Sequence, residues 1–209
     1  VRLPDGIDEK TAAAAMLKGM TAEYLLRRTY PVRPGEAILF HAAAGGVGLI
    51  ACQWAKRLGA TVIGTVGSDA KVALAREAGC DHVFVTSRDD GVARVKELTA
   101  GAGVRVVYDG VGKDTFETSL DCLAPRGMLV TFGQSSGSIP PFDVLTLSKK
   151  GGLYLTRPTL HLYTRTRPEL LDSASALFDA IRSGVRVDAR QTWPLRDAAE
   201  AHRALESRR

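Results

Sequence analysis

The chain has 209 residues, of which 45% are hydrophobic and 24% are charged. This composition supports a well-packed globular core and excludes wholesale disorder. The net charge is +5, but the basic residues are spread along predicted helices rather than gathered in a stripe, so a nucleic-acid partner stays open without being favoured.

The first thirty residues predict two helices, Glu9 to Leu17 and Thr21 to Arg28, with the second ending before Pro31. We interpret residues 1–30 as a helical segment that leads in from another domain. The opening of the chain and the absence of an initiator methionine suggest a piece of a longer protein.

Between residues 31 and 185, short apolar runs typical of buried strands alternate with helical segments. The predicted strands are Ala37–Phe40, Thr61–Val66, His82–Val85, Val104–Tyr108, Met128–Phe132 and Leu153–Thr156. The predicted helices are Val47–Leu58, Asp69–Ala78, Gly91–Thr99, Thr115–Leu123 and Glu169–Ser183. Strict alternation closed by right-handed crossovers predicts an α/β fold, a doubly wound parallel sheet of the Rossmann type with helices on both faces. Residues 186–209 are expected to return toward the other domain.

The turn between the first strand and the first long helix reads His-Ala-Ala-Ala-Gly-Gly-Val-Gly. Against the G-x-G-x-x-G pattern of dinucleotide sites, its three positions are Ala43, Gly45 and Gly48, with Ala43 as a departure from glycine. The backbone N–H groups of Gly46 and Val47, at the positive end of the helix dipole, would hold a pyrophosphate without a dedicated cation. The alternative is a turn that merely needs small residues.

The end of the second strand indicates which dinucleotide binds. An enzyme specific for NAD usually carries a carboxylate there, but this chain has Val66, followed by Gly67, Ser68 and Lys71. A hydroxyl, exposed amides and a cation favour the 2′-phosphate of NADPH. Alternatively, Ser68 only caps the next helix and Lys71 is only solvated, and Asp69 would reverse the inference if its carboxylate turned toward the ribose.

The carboxyl ends of the fourth and fifth strands predict the nicotinamide side of the site. The candidates are Val111, Gly133, Gln134, Ser135 and Ser136. The alternative for each of them is an ordinary glycine-rich turn.

Four segments together resemble the NADPH:quinone oxidoreductases related to zeta-crystallin, in the zinc-free branch of the medium-chain dehydrogenase/reductase superfamily. These are Leu17–Leu26, the Ala-Ala-Ala-Gly-Gly-Val-Gly loop, Tyr108–Gly112 and Leu153–Pro158. They lie in the same order with compatible spacing, and the resemblance covers nearly the whole chain.

The resemblance implies a GroES-like catalytic domain wrapped around an inserted cofactor domain, and this chain matches the inserted domain only. It implies hydride transfer from NADPH to a quinone without zinc. The cofactor contacts that it implies are Tyr24, Gly46, Val47, Gly67, Ser68, Lys71, Val111, Gly133, Gln134, Ser135, Ser136, Pro158, Thr159 and Leu160. Near the adenosine, Thr86 stands where relatives often carry a tyrosine. A homodimer through the edge strand Gly152 to Thr156 is also implied.

No residue of this chain is assigned a catalytic role, because a quinone accepts hydride readily. Tyr24 is the local candidate for lining the nicotinamide pocket, and an aromatic residue buried between domains is the alternative. Alternative functions are an enoyl or alkenal reductase of the same superfamily, or a non-catalytic module that binds NADPH or RNA.

Histidine and cysteine positions show no metal-ligand spacing. The histidines are His41, His82, His161 and His202, and the cysteines are Cys52, Cys80 and Cys122. We expect no metal site, and His41 is expected to pack beside the phosphate loop. Reduced thiols and the absence of an apolar run of about 18 residues indicate a cytoplasmic protein without a membrane span.

Overall fold

A computed structural model describes residues 1–189 and 191–206. Its centre is a six-stranded parallel sheet with the strand order β3-β2-β1-β4-β5-β6. The strands are β1 (Ala37–Phe40), β2 (Thr61–Val66), β3 (His82–Val85), β4 (Val104–Asp109), β5 (Leu123–Thr131) and β6 (Tyr154–Thr156). The order reverses between β1 and β4, which confirms the predicted doubly wound fold.

Helices cover both faces of the sheet. They are α1 (Glu9–Glu23), α2 (Gly46–Arg57), α3 (Val72–Glu77), α4 (Gly91–Leu98), α5 (Phe116–Asp121), α6 (Leu145–Lys149), α7 (Leu160–Tyr163), α8 (Arg167–Arg182) and α9 (Ala198–Glu206). A π-helical turn, Tyr24–Thr29, extends α1, and 3-10 turns, Asp69–Lys71 and Leu195–Asp197, precede α3 and α9. None of the helices among the described residues is long and apolar enough to cross a membrane.

Alternate residues of each central strand enter different cores. In β1, Ile38 and Phe40 pack with α1, α2 and α8, whereas Leu39 packs with residues of α4 and α5. All three side chains are almost completely buried. Because both faces of the strand are covered, its sequence is a continuous apolar run rather than an alternating one.

The two helices predicted before residue 30 are in fact one continuous helix with a π-helical end. The chain stays helical through Gly19, where a Cβ would collide with the buried side chain of Leu177 in α8. Glycine therefore allows close helix packing here at the cost of some helix propensity.

Strand β5 begins earlier than predicted, at Leu123 rather than Met128. Leu123 pairs with Val104, and the next paired residues are Met128 and Val106, so several residues bulge out between them. Arg126 in this bulge has φ 59°. The regular part of the strand starts at the predicted residue, and the bulge shortens the preceding helix α5, which ends at Asp121.

Short helices α6, α7 and α9 were not predicted. The C-terminal interval 186–209 includes residues 190 and 207–209, which lie outside the described residues.

Candidate functional site

The carboxyl end of β1 turns into α2 through the predicted phosphate loop. Ala42 has φ 54°, and the Gly45 amide donates to its carbonyl oxygen at 2.8 Å. Gly45 is the N-cap of α2, and no side chain caps the helix. The first N–H groups of α2, beginning with Gly46 and Val47, have no acceptor within the helix and can donate to an anion.

Steric contacts explain the small residues of the loop. A Cβ on Gly48 would lie 2.6 Å from the carbonyl oxygens of both Ala42 and Ala43. A Cβ on Gly45 would lie 3.0 Å from the Ala42 oxygen. Gly45 and Gly46 are exposed, whereas Gly48 is buried, so the first two can face a ligand and the third packs α2 against the turn. This backbone cradle fits a pyrophosphate.

Ala43 lies beneath the loop rather than on its surface. It is fully buried, and its amide donates to the Thr65 carbonyl at 2.9 Å. A Cβ on Gly64 of β2 would lie 2.8 Å from the Ala43 Cβ, so this glycine makes room for the methyl group. The departure from glycine at the first position of the pattern is therefore accommodated by the neighbouring strand.

A cavity of about 1320 Å³ opens above the loop. It exceeds the range of roughly 300–1,000 Å³ that is usual for small-ligand pockets. Its walls contain these predicted site residues: Gly45, Gly46, Val47, Gly48, Gly67, Lys71 and Ser135. Unpredicted residues also line it, among them Lys18 of α1 and Arg186, Trp193 and Leu205 from the C-terminal part of the chain.

The corner after β2 carries the residues predicted to bind the 2′-phosphate. Gly67, Ser68 and Lys71 are exposed. Ser68 occupies the N-cap position, but its side chain makes no capping hydrogen bond. Asp69 pairs with Arg88, with its Oδ1 2.7 Å from the guanidinium Nη1. The hydroxyl and the ammonium are therefore available, and the neighbouring carboxylate already has a cationic partner.

Thr86 lies beside this corner, at the end of β3. Its amide donates to the Val66 carbonyl at 3.0 Å, which joins the ends of β3 and β2. It also lines a second cavity of about 210 Å³, whose walls include Asp114 and Thr118. Thr86 thus contacts the corner after β2 through its backbone and also lines the smaller cavity.

The loops after β4 and β5 touch each other, as expected for the nicotinamide side. The Ser136 amide and hydroxyl both donate to the Val111 carbonyl at 2.9 Å. The Ser135 amide donates to the Gly110 carbonyl at 3.3 Å, and Gly133 is packed so tightly against Gly110 that a Cβ would collide with it. The structure therefore brings Val111, Gly133, Ser135 and Ser136 together.

Arg157 joins these loops to β6, and sequence reasoning assigned it no role. Its Nη1 donates to the Thr131 hydroxyl at 3.1 Å and to the Gly133 carbonyl at 3.2 Å, and its Nη2 donates to the Gln134 side-chain oxygen at 3.1 Å. Its place directly before Pro158, in a segment that resembles the family, was the available signal. Pro158 is buried, and Thr159 is the N-cap of α7, which begins at Leu160.

Tyr24 is buried inside this chain, with 2% of its surface exposed. Its ring stacks on Tyr163, with ring centroids 4.5 Å apart and planes at 13°. Burial, reinforced by Tyr163 and opposed by Arg157, raises the pKa of Tyr24 to about 12. Among the described residues, Tyr24 is not part of the wall of the large cavity. Its phenol is protonated at neutral pH and packs next to the Arg157 region.

A buried polar network lies beneath the loops. Asp109 is completely buried at the end of β4 and accepts from the amides of Val111 and Gly112, at 2.8 and 3.0 Å. The hydroxyls of Thr115 and Ser119 donate to the same carboxylate, at 2.7 and 2.9 Å. The carboxylate therefore fixes the turn that carries Val111, and sequence reasoning did not find this function of Asp109.

His41 continues this network to β2. It is 2% exposed, beside the phosphate loop as predicted, with Nδ1 2.9 Å from the Thr65 hydroxyl and Nε2 3.1 Å from the Ser119 hydroxyl. Burial lowers the pKa of His41, opposed by the nearby Asp109. Since the Ser119 proton goes to the Asp109 carboxylate, Nε2 must donate to Ser119 and Nδ1 must accept from Thr65. This assigns the neutral Nε2–H tautomer.

Among residues 1–189 and 191–206, no group of three or more His, Cys, Asp or Glu side chains could hold a metal ion. Cys52, Cys80 and Cys122 are free and buried. The chemistry that the described site offers is anion and dinucleotide binding by backbone amides, hydroxyls and cations.

A parallel sheet whose first turn presents glycine amides at a helix N-terminus defines a dinucleotide-binding domain. Comparison with known proteins identifies its family. A family model described as zinc-binding dehydrogenase matches residues 46–173, and the chain belongs to this family.

Relatives confirm the resemblance seen in the sequence. The chain is 55% identical over 210 residues to a quinone oxidoreductase of Pseudomonas aeruginosa, covering 100% of this chain and 65% of that protein. It is 48% identical over 204 residues to a 2-haloacrylate reductase of Burkholderia sp, covering 97% of this chain and 61% of that protein. A crystal structure of Escherichia coli quinone oxidoreductase complexed with NADPH matches with a TM-score of 0.93 and 53% identity, over 100% of this chain and 65% of that one. The chain thus spans somewhat less than two thirds of the length of these relatives.

Proposed function

We propose that this chain binds NADPH and forms the cofactor domain of an NADPH-dependent quinone oxidoreductase. Two kinds of observation support the proposal. The relatives named quinone oxidoreductase are 54–55% identical to it over nearly its whole length. The similar E. coli structure is a complex with NADPH.

The corner after β2 is the observation that carries the choice of NADPH. Ser68 and Lys71 are exposed, and Lys71 has no ion pair within the described part of the chain. Asp69, the carboxylate that could have bound a ribose diol, is paired with Arg88 instead. At Lys71 a phosphate forms a hydrogen bond between two oppositely charged groups, whereas a diol offers the ammonium only a neutral acceptor.

The residues proposed to bind the cofactor fall into three groups. The pyrophosphate group is Gly45, Gly46 and Val47 with the supporting Ala43 and Gly48; the adenosine group is Gly67, Ser68, Lys71 and Thr86; the nicotinamide group is Tyr24, Val111, Gly133, Gln134, Ser135, Ser136, Pro158, Thr159 and Leu160. In this proposal residues 31–185 form the dinucleotide domain, residues 1–30 lead into it and residues 186–209 lead out of it.

Bound NADPH supplies a hydride from its nicotinamide ring to a quinone. The described residues bind and orient the cofactor: the β1–α2 loop through its amides, and the β4 and β5 loops through a backbone held by Asp109 and Arg157. No residue of the chain is proposed as a proton donor.

Parallel titrations of the chain with NADPH and NADH test the cofactor assignment. We expect tighter binding of NADPH, and we expect Lys71→Met to remove most of the difference, because a charge-assisted contact contributes about 1.5–3 kcal/mol, or roughly tenfold or more in affinity. Lys149→Met is the matched control, since Lys149 is an exposed lysine of α6 outside both cavities. Equal affinities for the two cofactors would refute the 2′-phosphate assignment.

A chimera tests the reaction. Replacing the matching 65% of the P. aeruginosa quinone oxidoreductase by this chain gives a protein of full length in which the exchanged part is 55% identical. We expect quinone-dependent oxidation of NADPH. A chimera that binds NADPH but transfers no hydride to a quinone reduced by the parent enzyme would contradict the proposal.

Reduction of an activated carbon–carbon double bond is a second candidate, favoured by the similarity to 2-haloacrylate reductase. The same chimera, supplied with a 2-haloacrylate, an enone and a quinone, ranks the two activities. Binding of NADPH with no turnover of any of them would favour the non-catalytic module, and salt-dependent retention of RNA would favour the nucleic-acid alternative.

We further propose a homodimer through β6 and a cytoplasmic location. β6 is an edge strand of the sheet, and its Tyr154 is 58% exposed. An edge of this kind pairs readily with another strand. Light scattering tests the dimer, and a monomer at all concentrations would refute it. The free thiols support the location, which fractionation of the source cells tests.

A further inference from the structure

Lys18 crosses the N-terminus of α2, although it belongs to α1. A Cβ built on Gly46 would lie 2.8 Å from Cε, 2.9 Å from Cδ and 3.3 Å from Nζ of Lys18. Both residues line the large cavity. The ammonium group therefore lies directly beside the uncapped amides of the phosphate loop.

Within residues 1–189 and 191–206, no carboxylate forms an ion pair with this ammonium group. On α1, the helical neighbours of Lys18 three and four residues away are Ala14, Ala15, Thr21 and Ala22, and none of them is acidic. Lys18 forms no ion pair within the described part of the chain. It faces instead the positive end of the α2 dipole, which repels a cation. An anion bound between them would be attracted both by the Lys18 ammonium and by the N-terminal amides of α2, and these attractions would outweigh the repulsion.

We propose that Lys18 binds the pyrophosphate of the nicotinamide dinucleotide together with the N–H groups of Gly46 and Val47. The inference rests on the proposed function, and it adds a cation to a loop that was expected to work through backbone alone. The pyrophosphate is the suitable anion because it is common to NADPH and NADH and lies at helix N-termini in folds of this type.

Lys18 and Lys71 therefore have separable effects. The α2 N-terminus, where Lys18 lies, follows β1, whereas Lys71 follows β2. Lys18 affects any ligand with a pyrophosphate, and Lys71 affects any ligand with a 2′-phosphate. Three probes distinguish them: NADPH carries both groups, NADH carries only the pyrophosphate, and adenosine 2′-phosphate carries only the 2′-phosphate.

Titration calorimetry of the chain with these three probes tests the proposal, using Lys18→Met, Lys71→Met and the control Lys149→Met. We expect Lys18→Met to lower the affinity for NADPH and the affinity for NADH by the same factor, about tenfold for one charge-assisted contact. The affinity for adenosine 2′-phosphate should not change. Lys71→Met should lower the affinity for NADPH and for adenosine 2′-phosphate and leave the affinity for NADH unchanged. Lys18→Arg should retain most of the affinity for both dinucleotides.

A steric variant supports the same reasoning without removing the charge. Gly46→Ala places a methyl group where the end of the Lys18 side chain now lies, so the flexible side chain must move aside. We expect weaker binding of both dinucleotides. Because Lys18 is exposed and lies at the positive end of the α2 dipole, Lys18→Met should not lower the unfolding midpoint, which separates a binding effect from misfolding.

Unchanged affinity of Lys18→Met for NADPH and NADH, with the unsubstituted chain binding both, would overturn this inference alone. A parallel loss for adenosine 2′-phosphate would also overturn it, because Lys18 would then act at the adenosine end or on the fold. Absence of dinucleotide binding by the unsubstituted chain would overturn the proposed function, and the inference with it.

Discussion

Replacing the buried carboxylate of Asp109 should separate its role as an acceptor from its charge. Its Oδ1 accepts from the amides of Val111 and Gly112, and its Oδ2 accepts from the Ser119 hydroxyl. Asp109→Asn keeps one oxygen for the two amides and replaces the other by an NH₂ group. Asp109→Ala removes both oxygens and leaves the two amides without this acceptor.

The magnitude follows from the number of orphaned donors. Each buried amide without a partner costs about 1–3 kcal/mol; the Gly112 amide is buried and the Val111 amide partly buried, so Asp109→Ala should lose about 2 kcal/mol or more, and at most roughly 6 kcal/mol, of unfolding free energy. The hydroxyls lessen this loss, since the Thr115 Oγ1 already lies 3.3 Å from the Gly112 carbonyl. In Asp109→Asn, Ser119 can donate to His41 Nε2 instead, which requires the other imidazole tautomer. We expect this variant to lose only about 1–2 kcal/mol of unfolding free energy, which is the contribution of a single altered hydrogen bond.

Equilibrium unfolding in urea measures the difference. Domain stabilities are typically about 5–15 kcal/mol, so the alanine variant should lose a large fraction of the total and the asparagine variant a small one. A constant slope with urea would show that the denatured state is unchanged. A neutral surface substitution changes stability by about 0.5 kcal/mol or less. If the two variants differ by no more than that, amides left without an acceptor are not the cause of the lost stability.

Three further predictions concern neighbouring residues. Because the pKa of His41 is lowered in the folded chain, the unfolded chain takes up the proton at a higher pH than the folded chain. The unfolding free energy should therefore fall by about 1.4 kcal/mol per pH unit as the pH drops below 6.5, the pKa of His41 in the unfolded chain. His41→Asn should abolish that slope in urea titrations, and an unchanged slope would assign it to another group. Gly48→Ala should cost about 1–3 kcal/mol in thermal unfolding because its Cβ would meet backbone, whereas Gly67→Ala, with open space around it, should be neutral, and equal costs would contradict this. Arg157→Gln should weaken NADPH binding but not adenosine 2′-phosphate binding in calorimetry, and a loss for both would show a global effect.

The fold could be predicted because the strands are buried on both faces. A run such as that in β1 has no polar residue to obscure it, and a glycine or proline turn borders each run. The bulge in β5 and the continuity of α1 could not be predicted in the same way. Both depend on partners distant in sequence: Val104 for the bulge, and Leu177 for the glycine inside α1.

In the candidate site, too, some features could be predicted from the sequence and others could not. The loops at the carboxyl ends of β1, β2, β4 and β5 could be located, because topology alone brings these ends to one edge of the sheet. Lys18, Arg157 and Asp109 lie in segments that resemble the family, but no local pattern shows what each of them contacts. Each acts through a contact made only in the folded chain, such as that between Arg157 and the Thr131 hydroxyl.

The position of Lys18 follows from the packing of α1. This helix packs against α2 and α8, and its buried residues Ala12, Ala15 and Met20 belong to the same core as Ile50 of α2. A rigid helix pair of this kind holds the exposed lysine of one helix over the N-terminus of the other. The helix packing therefore fixes the backbone of Lys18 beside the phosphate loop before any ligand arrives, and its exposed side chain can adjust to the ligand. A direct consequence is that Gly19→Ala, whose methyl group would meet the Leu177 side chain and push α1 away from α8, should weaken the binding of NADPH and NADH equally in calorimetry, as Lys18→Met does.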